Sequence, residues 1–203
     1  MVGIEMKIRA AVVTRIAMLS ALVVVFDYSM KFSGLKIIFP WLPFLKFDFT
    51  GIPIMLSLLT TSLPAGAITS TVTFLAISVR SGDVVGASMK ALAEFSTVSG
   101  FYLGNKIHRK KQKLAKALSY ILGCGMRILI MFVFTIPVFT MYYSIPLTVA
   151  LSMSPLVATF NLIQGFLSIF GGTFLYEILK RRAPSIILNK NETENPQFRP
   201  LPE

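Results

Sequence analysis

The strongest constraint on this chain is the continuity of its apolar runs. The segment from Ile128 to Val138 contains no charged side chain. A soluble domain usually carries about 25% charged residues, whereas this chain of 203 residues is 14% charged and 54% hydrophobic. Long apolar runs suit helices in a lipid bilayer, because a helix satisfies its backbone polar groups within its own segment. We therefore predict an all-α membrane protein.

The positive charge of the chain predicts how these helices cross the membrane. The net charge is +11, and the N-terminus, the segment from Asn105 to Lys116 and the tail from Lys180 are all strongly basic. Basic loops lie on the cytoplasmic side, so the chain must cross an even number of times between Arg15 and Asn105. Four crossings fit, which gives six transmembrane helices with both termini cytoplasmic. The predicted spans are 8–27, 51–63, 64–80, 84–105, 114–138 and 156–180.

This topology divides the chain into two parts. We expect residues 1–183 to form one six-helix transmembrane domain, with a first span that is retained because no small-residue cleavage site follows it. Residues 184–203 are polar and rich in Pro, Asn and Glu. This composition predicts a disordered cytoplasmic tail.

A Pro-rich aromatic segment, FPWLPFLKFDFTGIP from Phe39 to Pro53, separates the first two spans. Pro40 and Pro43 lack backbone donors, which favours an ordered loop over a continued helix, here on the outer side of the membrane. Lys46 and Asp48 lie among aromatic residues, a mixture that suits a lid over an amphipathic small molecule. The alternative is an interfacial aromatic belt without a ligand.

Several polar side chains fall inside predicted spans, where an isolated charge costs at least about 2.5 kcal/mol. Lys90 and Glu94 lie four residues apart on one helical face, so they form either a structural ion pair or part of a ligand site. Arg127 lies in the fifth span, where it is either buried or snorkels towards the cytoplasm. In the sixth span, which Pro155 is expected to open, Asn161 and Gln164 share a face.

The remaining motifs exclude several function classes. The chain has no nucleotide-binding loop and no HExxH or GxSxG motif, so we predict no enzyme activity. A single cysteine, Cys124, and a single histidine, His108, predict neither a metal site nor a disulfide. The chain has no soluble basic module, so we predict no nucleic acid partner. We also expect no cofactor. Ala17 and Ala21 allow a helix to approach closely, either within this chain or from a partner.

Together these segments resemble the substrate-binding S components of energy-coupling-factor (ECF) vitamin transporters, most of all the riboflavin-specific branch. The resemblance covers residues 8 to 182. It rests on Ala17-x-x-x-Ala21, on FPWLPFLKFDFTGIP, on Gly82-Asp-Val-Val-Gly86 and on Phe160-Asn-Leu-Ile-Gln-Gly165.

The resemblance implies a six-helix fold in the plasma membrane of a prokaryote. It also implies a small-molecule vitamin as ligand and a transmembrane coupling subunit driven by two ATP-binding subunits, with Ala17 and Ala21 facing the coupling subunit. The candidate substrate-binding residues are Phe44, Leu45, Lys46, Phe47, Asp48, Lys90, Glu94, Thr135, Asn161 and Gln164.

The chain departs from the riboflavin pattern, which usually has Lys in place of Gln164 and Asn near Thr135 and Lys90. Lys90, on the fourth span, would then supply the ammonium group that the riboflavin pattern places on the sixth span. Riboflavin remains the first choice of ligand. Because thiamine-type S components use a Glu in the fourth span, Glu94 keeps thiamine or another vitamin as an alternative. A structural membrane subunit without a small ligand is the alternative of a different class.

Overall fold

The structure, a computed structural model, describes residues 2–107 and 112–183. Helices occur at all six predicted positions, and a short hairpin follows the first. The elements are α1 (Val2–Phe32), β1 (Ile37–Ile38), β2 (Lys46–Phe47), α2 (Gly51–Thr60), α3 (Leu63–Ser81), α4 (Val84–Ile107), α5 (Gln112–Pro137) with a π-helical turn (Val138–Tyr142), and α6 (Leu147–Arg182). The predicted tail, 184–203, and part of the basic segment, 108–111, lie outside the described residues.

Four of these helices are long and apolar enough to cross a membrane by length and composition. They contain the segments Ala10–Phe32, Leu63–Ser81, Lys113–Tyr142 and Leu147–Arg182. Helix α2 is apolar but has only 10 residues, and α4 carries Lys90 and Glu94 near its middle. Four such helices define a multi-pass membrane protein, while the six crossings and the cytoplasmic termini stay predictions.

The expected start of the sixth helix is wrong. Helix α6 begins at Leu147, so Pro155 lies inside it. A proline removes one backbone donor, which membrane helices tolerate where neighbouring groups compensate. The early turns are held by packing, because Ala150, Val157 and Phe160 belong to one apolar cluster with Phe39 and with Phe139 of the π-helical turn.

Small residues bring α4 and α5 into close contact. A side-chain carbon on Gly100 would lie 2.3 Å from the carbonyl oxygen of Leu122, and one on Gly104 would lie 2.5 Å from the Cα atom of Ser119. These distances leave no room for any larger residue, so the two backbones touch directly. The contact fixes the position of α4, which carries Lys90 and Glu94.

The segment from Phe39 to Pro53 is ordered and remains non-helical as far as Thr50. Strands β1 and β2 pair antiparallel, with Ile37 opposite Phe47 and Ile38 opposite Lys46. Phe39 and Leu42 are buried and anchor the hairpin on the α6 cluster. The hairpin therefore packs on the bundle, and its place on the outer side of the membrane stays a prediction.

Candidate ligand-binding cavity

A cavity of about 620 Å³ lies between the hairpin and the helical bundle. Its walls come from the end of α1, the hairpin, the end of α3, and the facing parts of α4, α5 and α6. Ligand cavities in proteins commonly have volumes of about 300–1,000 Å³. The wall includes both aromatic and polar side chains. The aromatic ones are Phe44, Phe139, Tyr143 and Phe160.

Most of the candidate residues predicted from sequence meet at this cavity. The lining includes Phe44, Leu45, Lys46, Asp48, Lys90, Thr135 and Asn161. Three candidates do not line it: Phe47, Glu94 and Gln164. Phe47 packs instead on the ring of Phe160, at a centroid distance of 4.8 Å. The other two lie behind the cavity wall.

Asp48 connects the hairpin to the bundle through polar contacts. Its Oδ1 atom accepts hydrogen bonds from Lys90 Nζ at 2.8 Å and from Thr50 Oγ1 at 2.6 Å. Burial raises the pKa of the Asp48 carboxyl, but the charge of Lys90, the hydrogen bonds from Lys90 and Thr50, and the charge of Lys36 together lower it below its ordinary value. Asp48 is therefore a carboxylate that holds Lys90 at the wall.

Lys90 forms the predicted pair with Glu94 and also lines the cavity. Its Nζ atom lies 3.1 Å from Glu94 Oε1, and the same carboxylate oxygen lies 3.1 Å from Arg127 Nη1. Lys90 therefore pairs with Glu94 and also lines the cavity, so the two interpretations drawn from the sequence do not exclude each other. An ammonium has three donors; one of them hydrogen-bonds to Asp48, and Glu94 is an ion-pair partner, so Lys90 has donor capacity left for another acceptor.

Arg127 is buried, with 1% of its side chain exposed, so the interpretation that it snorkels to the surface is wrong. Its Nη1 atom donates to Thr97 Oγ1 and its Nε atom donates to Asn161 Oδ1, both at 3.1 Å. Glu94 supplies the opposite charge. Helices α4, α5 and α6 are therefore tied together by one guanidinium at the floor of the cavity.

A second charged cluster at the cavity was not predicted from the sequence. Asp27, which is completely buried, accepts from Lys36 Nζ at 2.6 Å and from Arg80 Nε at 2.6 Å. Lys36 also approaches Asp48 Oδ2 at 4.0 Å, which connects the two clusters. The available signal was an aspartate at the end of the first apolar run, where an isolated charge is costly.

Thr135 contributes a polar atom that has no protein partner. Thr135 lines the cavity, and its Oγ1 atom is buried and makes no hydrogen bond to any residue that the structure describes. Buried hydroxyls are usually paired. Beside it, Asn161 donates one amide N–H to the carbonyl oxygen of Val157. Thr135 and Asn161 thus form a second polar region, separate from Lys90.

Ala17 and Ala21 lie away from this cavity, on the exposed face of α1. Both side chains are exposed in the part of the chain that the structure describes. This face is therefore open for a partner helix or for lipid, and its assignment to a coupling subunit stays a prediction.

The fold and the cavity describe a helical protein with four candidate membrane spans and an open cavity at the hairpin. No protein-family model matches the sequence, and no curated protein matches it by sequence. A solved structure described as the S component of a bacterial ECF transporter is similar in fold, with a TM-score of 0.71 and 24% identity. The match covers 85% of this chain and 97% of that chain. This likeness shows that the chain has the fold of an S component.

Proposed function

We propose that this protein is the substrate-binding S component of an ECF-type vitamin transporter in the plasma membrane of a prokaryote. It captures riboflavin or a related flavin from outside and delivers it through a coupling subunit driven by two ATP-binding subunits. The likeness of fold over nearly the whole length of a solved S component supports this function. The chain carries out no chemical reaction itself.

The observation that carries the proposal is the composition of the cavity wall. Flat aromatic side chains suit the ring system of a flavin, which can stack between them. The ring also carries carbonyl oxygens and ring nitrogens, which accept hydrogen bonds. Three residues at the wall carry hydrogen-bond donors: the ammonium of Lys90, the unpaired hydroxyl of Thr135 and the amide of Asn161.

The charge of the wall favours such a ligand over a cationic vitamin such as thiamine. Six basic side chains line the cavity against two acidic ones, Asp48 and Asp83. The basic residues are Lys31, Lys36, Lys46, Arg80, Lys90 and Arg127. Glu94, the residue that favoured thiamine, lies behind the wall and is paired with two cations. A cationic ligand would enter a region of excess positive charge.

Purification tests the proposal directly. The full chain, produced in a prokaryotic host and purified in mild detergent, is expected to be yellow and to release a flavin that mass spectrometry identifies. Ligand-free protein should then quench the fluorescence of added riboflavin in proportion to its concentration. Thr135→Val should weaken this binding, whereas Thr173→Val, which removes a buried hydroxyl of α6 outside the cavity, should leave it unchanged.

Two other results would replace the proposal. Extraction of thiamine, with no quenching of riboflavin, would support the alternative vitamin. If no small molecule is extracted and neither vitamin binds to protein that is folded by circular dichroism, the structural-subunit alternative would stand.

A further inference from the structure

Gln164 is a completely buried side chain of α6 that holds the backbone of Asp48. Its Nε2 atom donates to the carbonyl oxygen of Asp48 at 2.8 Å, and its Oε1 atom accepts from the Asp48 N–H at 3.3 Å. The two residues are 116 positions apart in sequence. One side-chain amide thus satisfies both polar groups of one peptide position, as a neighbouring strand would. If these two buried backbone groups had no hydrogen-bond partner, the folded state would be destabilised.

Fixing this backbone position also fixes the carboxylate of Asp48. Besides Lys90, Oδ1 of Asp48 accepts from the N–H of Thr50 at 3.2 Å and from its hydroxyl. The residue therefore orders the chain just before α2 begins at Gly51. Displacement of the Asp48 backbone would move the carboxylate relative to α4.

Lys90 is the group that such a displacement would affect most. Its side chain is 18% exposed, and it lines the cavity that Gln164 does not reach. The 2.8 Å contact with Asp48 is the shorter of its two ion pairs. The position of the Lys90 ammonium therefore depends on the position of Asp48.

We propose that Gln164 is a positioning residue for ligand recognition, acting through Asp48 on Lys90 without contacting the ligand. This inference rests on the proposed function for the role of Lys90 as a ligand donor. It replaces the expectation, drawn from sequence, that Gln164 is itself a substrate-binding residue. It also separates Gln164 from Asn161 on the same face of α6, since Asn161 does line the cavity.

The first experiment is a double-mutant cycle with riboflavin as the probe. Gln164→Met keeps the length of the side chain and removes both hydrogen bonds, and we expect it to weaken riboflavin binding about 5- to 10-fold. Lys90→Met should also weaken binding. Because both changes act on the same ammonium, the double variant should bind no more weakly than Lys90→Met alone.

Two results of the cycle would overturn the proposal. If the two losses multiply in the double variant, Gln164 acts independently of Lys90, as a direct ligand contact would. If Gln164→Met lowers the melting temperature but leaves riboflavin affinity unchanged, its role is structural only. Thr173→Val is the matched control, because it removes a buried hydrogen bond, to Tyr120, on the same helix outside the cavity.

A second experiment needs no ligand and therefore separates this inference from the proposed function. Amine acetylation followed by mass spectrometry measures the reactivity of Lys90 in the folded, detergent-solubilised chain. Gln164→Met should make Lys90 react several-fold faster, and Thr173→Val should not. Unchanged reactivity of Lys90 would refute the positioning role even if riboflavin binds. Failure of the wild-type protein to bind riboflavin would refute the function while leaving this measurement decisive.

Discussion

Replacement of Lys90 tests the cavity most sharply, because this residue is both an ion-pair partner and a wall group. If an N–H of Lys90 donates to the ligand, Lys90→Met removes a charge-assisted hydrogen bond worth about 1.5–3 kcal/mol, or about 10- to 150-fold in affinity. The same change also leaves Asp48 without its 2.8 Å partner. Removing one member of a buried pair typically costs about 3–5 kcal/mol of stability. Weak binding by the single variant would therefore have two explanations.

A second variant separates these explanations. Asp48→Asn/Lys90→Met removes one charge of each sign, keeps an amide oxygen that accepts from Thr50, and leaves the pair between Glu94 and Arg127 intact. Changing Lys90 together with Glu94, the partner that the spacing in sequence indicates, would instead leave Arg127 without a carboxylate and Asp48 without its nearest cation. The useful double variant is thus visible only in the structure.

The assay combines thermal unfolding with fluorescence quenching of the extracted flavin. We expect Lys90→Met to be less stable than the wild type, and Asp48→Asn/Lys90→Met to recover most of that stability. Affinity should stay at least 10-fold below the wild type in both, by the estimate for one charge-assisted hydrogen bond. Recovered stability with wild-type affinity would refute a ligand role for Lys90, and recognition would then depend on Thr135 and Asn161.

Four further outcomes follow from other parts of the chain. Ala17→Leu or Ala21→Leu should reduce flavin uptake by cells and leave flavin binding by purified protein unchanged, since a bulky side chain blocks helix approach; equal loss of both would assign these residues to internal packing. Gly51→Ala should lower the melting temperature, because its new carbon would lie 2.5 Å from a buried carboxylate oxygen of α4; an unchanged temperature would show that α2 can shift. Thr135→Val should weaken flavin binding by about 0.5–1.5 kcal/mol without loss of stability, and unchanged affinity would remove Thr135 from the site. A cysteine introduced at Gln112 should react with a membrane-impermeant reagent only in inverted vesicles, and labelling in intact cells would overturn the predicted topology.

Much of the fold could be predicted because membrane helices leave a strong signal in the sequence. Apolar runs interrupted by polar turns gave helix positions that agree with the structure within a few residues for α2 to α4. The signal fails at Pro155, because a proline removes only one backbone hydrogen bond and a helix continues where packing supports it. The start of α6 depends on contacts with Phe39, which lies far away in sequence.

The candidate site was harder to predict, because periodicity reveals only partners on the same helix. It identified the pair of Lys90 and Glu94, four residues apart, but not the pair of Lys90 and Asp48, which lie 42 residues apart. Gln164 was predicted to contact the ligand, and the structure shows two hydrogen bonds between its amide and the backbone of Asp48, which periodicity could not reveal. Polar residue types therefore indicated which side chains avoid lipid, whereas only the fold determined what each one contacts.

The charged network explains how so many ionisable groups can lie within one bundle. Lys36, Arg80, Lys90 and Arg127 face the carboxylates of Asp27, Asp48 and Glu94, which leaves one net positive charge. Isolated charges of this kind would be costly in a bilayer, and pairing or access to a wet cavity reduces that cost. All four cations line the cavity, so the excess positive charge lies at its wall. A ligand rich in hydrogen-bond acceptors would complete the pairing of this network, and a cationic ligand would add to the excess.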